Sequence, residues 1–135
     1  MERTSRESRT PESVIIVLPL PPRILSPNCP AGTRGGRFAR AAAAKRYKQL
    51  AESATVEAAA GMAWEKCAVK ALFYHKTARR RDDVNHLAML KPAYDGVVLA
   101  GLVPDDDRAH LRTEGAEFYV DAKNPRVELV FTREG

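Results

Sequence analysis

Apolar positions recur along this chain with different periods, and the changes of period mark its elements. Val14 to Leu20 is a compact run rich in β-branched residues, closed by Pro21 and Pro22, and predicts one buried strand. Pro27, Pro30, Gly32, Gly35 and Gly36 then predict a loop reaching to Arg37. A loop of that length in a small domain is more often functional or mobile than structural. Phe38 to Ala60 is rich in alanine and reads as a helix, with Phe38, Ala42, Leu50 and Val56 as a thin apolar stripe and Tyr47 at its edge. From Trp64 to His75 the period falls to two: Cys67, Val69, Ala71 and Phe73 alternate with Ala68, Lys70, Leu72 and Tyr74, which predicts a strand.

Val84, Leu87, Leu90, Tyr94, Val97 and Gly101 return to spacings of three and four and predict the buried stripe of a second helix. Asp82 and Asp83 stand where capping and first-turn carboxylates belong. Pro92 has no N–H for the carbonyl of Ala88, so the helix should kink there or divide into a short first turn and a longer second helix. Gly101 marks its end, and Pro104 turns the chain away. Glu117 to Val120 and Arg126 to Thr132 read as strands, with Asn124–Pro125 suggesting a hairpin between them. The order β-α-β-α-β-β makes an α+β domain, two main helices on a small mixed sheet. Residues 1–12 are polar, without periodicity, and are expected to form a disordered leader; residues 13–135 form one domain.

Charge narrows the partner. Lys and Arg number 22 against 17 Asp and Glu, a formal charge of +5, and this balance fits a polyanion better than an acidic metabolite. Arg37, Arg40, Lys45 and Arg46 make the start of the first helix basic, a candidate face for a phosphate backbone. Cys29 and Cys67 have no second cysteine or histidine cluster nearby, which excludes a C-x-x-C zinc site and makes a disulfide framework unexpected. No apolar run approaches membrane-spanning length, so a cytoplasmic protein is expected.

The candidate chemistry is concentrated between Arg79 and Asp107. Arg79, Arg80 and Arg81 run into Asp82 and Asp83; Lys91 and Asp95 lie four apart on one edge of the helix; Asp105, Asp106 and Asp107 close the stretch. Acidic runs at both ends of a helix are tolerable together when a divalent cation lies between them, because Mg²⁺ prefers oxygen ligands. Arginines beside such a pocket would hold phosphates, a combination that suits phosphodiester chemistry. His75 and His86 are near the same corner and read first as structural or solvated histidines, with metal ligand or general base as the alternative; His110 has no evident partner.

This stretch resembles the RusA family of Holliday junction resolvases, especially its phage-encoded branch. The family opens a helix with an arginine-flanked D-x-D-N motif, carries a lysine within it and closes on D-D. Asp82 and Asn85 match the outer motif positions, Lys91 the lysine, Asp95–Gly96 a common pair and Asp105–Asp106 the closing pair, without a gap from Lys91 to Asp106. Val84 stands where the family usually has its second aspartate, with Asp83 beside it. Upstream, Leu18 to Asn28 is similar to the family's opening strand and proline loop. The resemblance implies a homodimeric endonuclease in a bacterial or phage-infected cell, cutting four-way or related branched DNA with Mg²⁺, for which Mn²⁺ can substitute. On that reading Asp82, Asp83, Asp105 and Asp106 hold the metal, and Asp82, Asp106 and Lys91 carry the catalysis. Arg79, Arg80, Arg81, Arg37, Arg40, Lys45 and Arg46 are then the DNA contacts. The alternative is a non-catalytic basic DNA-binding protein with a degenerate metal site; the acids then serve as caps and turn residues.

Overall fold

A computed structural model describes residues 12–79 and 81–134, so all but one residue of the expected leader lies outside the described residues. Strand β1 (Ser13–Leu18) is followed by a single 3₁₀ turn at Arg23–Leu25 and the long helix α1 (Arg34–Ala59). Strand β2 (Cys67–His75) leads into two short helices, α2 (Asp83–Ala88) and α3 (Lys91–Leu99), then β3 (Leu111–Val120) and β4 (Arg126–Arg133). The fold is mixed α+β, with a four-stranded sheet in the order β1-β4-β2-β3. β4 runs antiparallel to both β1 and β2, whereas β2 and β3 are parallel. Parallel neighbours need a crossover connection, which α2 and α3 supply.

The expected hairpin does not form. β4 enters the sheet between β1 and β2, so β3 and β4 are never neighbours. The 121–125 turn crosses the end of β2, where Asp121 N donates to His75 O at 2.8 Å. Burial accounts for the central place of β4: Val127, Leu129 and Phe131 are all fully buried. They lie opposite Leu18, Ile16 and Val14 on one side and Phe73, Ala71 and Val69 on the other. These residues line one face of the sheet, and the core they form takes in Tyr47, Ala51, Leu90, Tyr94 and Val97 from the helices. The other face carries Ile15 and Val17, each about half exposed, so β1 is buried on one side only. β3 also starts six residues earlier than its sequence suggests. Gly115, at φ +96°, admits the extra residue of a bulge opposite Val69–Ala71, and the inward set changes parity there.

The buried face of α1 is not the predicted one. Phe38, Leu50 and Val56 are exposed, and the helix buries Ala43, Tyr47, Ala51, Thr55 and Ala59 at every fourth position. The close approach of α3 explains the choice. A Cβ on Gly96 would lie 2.3 Å from Lys48 O and 2.9 Å from Glu52 N, so the backbones nearly touch and only small residues fit the crossing. Tyr47, on this face, is core, and its hydroxyl donates to Pro19 O at 2.7 Å. α1 also begins before Phe38, because Thr33 Oγ1 caps it by accepting from Gly36 N at 2.9 Å.

The second helical region is divided at Met89–Leu90, as the position of Pro92 near the start of α3 permits. Gly101 ends it with φ +92°. Leu90, Tyr94 and Val97 are buried as expected, but Val84 is 74% exposed, since α2 turns that side to solvent.

Candidate functional site

Two clusters flank α2. At its N-terminal end, β2 delivers the chain through residues 76–82 to Asp82, whose Oδ1 accepts from Val84 N at 2.9 Å and Asn85 N at 3.2 Å. The carboxylate is thus used as a helix cap. Arg81 donates to Thr77 O at 2.9 Å, and His86 Nδ1 donates to the Asp82 carbonyl at 2.9 Å. Asp83 is exposed in the first turn, Arg79 is exposed, and Arg80 lies outside the described residues. Behind the loop, His75 and His86 join Phe73 and Phe118 in one aromatic cluster, the two imidazoles edge to face at 5.3 Å. Burial, then Arg81, His86 and Arg79, pull the His75 pKa down to about 4, so the ring is neutral near pH 7. A cavity of about 390 Å³ opens here, lined by Arg23, His75, Arg79, Arg81, Asp82 and Asn85 among others.

At the other end of α2 is Lys91. Its ammonium donates to Asp95 at 3.0 Å and makes a short contact with the Asp106 carboxylate. Asp106 N in turn donates to Asp105 Oδ1 at 2.7 Å. The bond from Lys91 holds the Asp106 carboxyl below its usual range, and Asp106 with Asp95 raises the lysine. Asp107 turns the other way and binds His110 Nδ1 at 2.6 Å, so His110 has a partner after all, and that bond raises its pKa. The six residues of α2 between the clusters span about 9 Å.

Carboxylate oxygens are the right chemistry for Mg²⁺, and here they lie in two groups, Asp82 and Asp83 at the start of α2 and Asp105 and Asp106 beside Lys91. Among the described residues, no three of His, Cys, Asp and Glu gather as a group that could hold a metal ion. Asp82 spends one oxygen on a cap and Asp106 is neutralised by Lys91.

The basic residues have divided roles. The guanidinium of Arg40 donates to Ile24 O at 2.9 Å, Ser26 O at 3.2 Å and Cys29 O at 2.6 Å. Arg40, one of the residues of the candidate phosphate-binding face, pins the proline loop to α1. Arg37 donates to Gly32 O at 2.7 Å yet stays exposed, and Lys45 and Arg46 are exposed along the helix. Arg23 and Ser26, absent from the sequence-based site, line the cavity because that loop folds back on α1. Only a fold could have placed them there.

No helix among the described residues is long and apolar enough to cross a membrane. Neither the protein-family models nor the curated proteins contain a match to this chain.

Proposed function

We propose that the chain is an endonuclease for branched DNA, with four-way junctions as the substrate implied by its RusA-like motif, working as a homodimer with Mg²⁺ or Mn²⁺. One observation carries the reading. Lys91 and Asp106, the helix lysine and closing aspartate of that motif, are 15 residues apart in sequence and in direct contact in the fold. A turn-forming aspartate has no need of that lysine. Phosphodiester hydrolysis builds negative charge on the phosphoryl oxygens and the leaving group, and the Lys91 ammonium is the group suited to stabilise it. Arg79 and Arg81 would hold phosphates on either side of the scissile one, fixing register without reading sequence.

A second reading, a DNA-binding protein without catalysis, is favoured by Val84, an exposed apolar residue where the resemblance calls for an aspartate. One experiment separates the two. A synthetic four-way junction and its linear duplex are incubated with the protein in Mg²⁺ and in excess EDTA, and binding and nicking are both measured. Nicking of the junction only in Mg²⁺ supports the enzyme. Binding without nicking supports the second reading, and undiminished nicking in EDTA removes the metal requirement.

A further inference from the structure

The cavity at the N-terminal end of α2 has an unusual wall. His75 lines it, and His75 Nε2 is buried without a hydrogen-bond partner among the described residues. Such a group costs stability unless something fills its bond. Arg23, Arg79 and Arg81 bring positive charge to the lining of the cavity against the single carboxylate of Asp82, which is partly turned to its helix. Leu20, Pro21 and Met89 add apolar surface to the same cavity. Its volume of about 390 Å³ falls in the range of small-ligand sites. Arginines, apolar side chains and an imidazole around one cavity suit an anionic ligand with an apolar body and a hydrogen-bonding edge, which is the chemistry of a nucleotide.

We propose that this cavity receives one nucleotide displaced from the stack at the branch point of bound DNA, its phosphate on the arginines and its base edge on His75. The inference rests on the DNA reading above and extends it. Extrusion costs least where pairing is already interrupted, as at a branch point, and a pocket that bonds the base edge offsets that cost. The neutral imidazole is suited to the role, since it offers both a donor and an acceptor. Specificity for branched over linear DNA then comes from the substrate's readiness to release a base rather than from contacts to a particular sequence.

The test uses the whole chain and junctions carrying 2-aminopurine either at the branch point or deep in one arm, in EDTA so that strands stay intact. Binding should raise fluorescence at the branch point and leave the arm label unchanged. His75→Leu keeps the bulk and removes the nitrogen; Ser26→Trp fills the cavity from its loop side and covers the case in which His75→Leu fails to melt cooperatively. Each should weaken junction binding about tenfold, the scale of one stacked base, abolish the rise and leave duplex binding unchanged. Junction binding with no rise at the branch point, or a rise retained in the folded variants, overturns the nucleotide subsite while leaving the DNA reading in place. Failure to bind any DNA overturns both. Free dAMP bound at micromolar concentration by a protein that binds no junction would also overturn it.

Discussion

Lys91 sits between two carboxylates, and this changes what is expected of Asp106. From sequence alone, Asp106→Asn should relieve crowding of like charges. In the fold it removes one arm of an exposed ion pair instead, so stability should fall slightly, by about 0.5 kcal/mol, with Lys91 more than half exposed and screened. If Lys91 and Asp106 form the reactive centre, nicking should drop by orders of magnitude while junction affinity holds. Melting, binding and nicking on one preparation check all three, and full activity in the folded variant would remove Asp106 from the site. His75 supplies a pH signature. Its folded pKa of about 4 lies below the ordinary 6.5, so the unfolded chain binds the proton more readily between those values. Stability is therefore complete above about pH 6.5 and declines as pH falls toward 4. The charges facing this ring are Arg81 and Arg79 from the loop and His86 from α2. The melting temperature should fall over that window, and less steeply in His75→Leu.

At the scale of elements, the α1–α3 crossing is the test of how tightly the helices are set. Gly96→Ala would press a Cβ against the α1 backbone at Lys48, where nothing flexible can yield. A loss of about 1–3 kcal/mol is expected, as for other overpacked sites. Gly35→Ala is the matched control: it lies in the first turn of α1 with open space around its Cβ position. It should be neutral or stabilise by about 0.4–1 kcal/mol through the unfolded chain. Denaturant titration of both checks the pair. Equal effects would mean that the crossing is looser than the geometry states. Pro92 illustrates how a local rule can hold while its consequence stays open. It predicted a break, and the break came as a division into α2 and α3 that leaves Lys91 free at the start of α3.

At the scale of the whole molecule, cations are unevenly used. On the sheet they are paired: Lys70 with Glu117, Arg112 with Glu134, Arg126 with Asp121 and Glu128. Arg37, Lys45, Arg46 and Arg79 have no ion pair among the described residues, so the field of the +5 chain should be strongest on the loop and helix side. Replacing Arg79 and Arg81 with alanine should lower the slope of log K against log salt by about 0.9 for each duplex phosphate that is no longer neutralised. An unchanged slope would mean that these arginines serve the fold alone. The proposed paired cuts on a two-fold substrate also require two copies. Sedimentation at micromolar concentration, with and without a junction, should show a dimer; a monomer in both states counts against junction resolution.

Elements were largely legible in sequence, because period, caps and breakers act locally. Asp82 did cap its helix, Gly101 did end one, and β2 alternates as read. Neighbours were not legible. Sequence carries no local mark for a strand that returns between two others, so β4 was paired with β3 rather than with β1 and β2. The buried face of α1 went unread because alanines give little hydrophobic contrast, and the reason they suffice, the Gly96 approach, belongs to another helix. Arg40 read as a free cation until the proline loop supplied three carbonyls, and His110 as unpartnered until Asp107 faced it. The contact between Lys91 and Asp106 belongs to both levels: sequence chose the two residues, and the return of the chain after α3 brought them together, because an ion pair needs proximity that spacing alone does not supply.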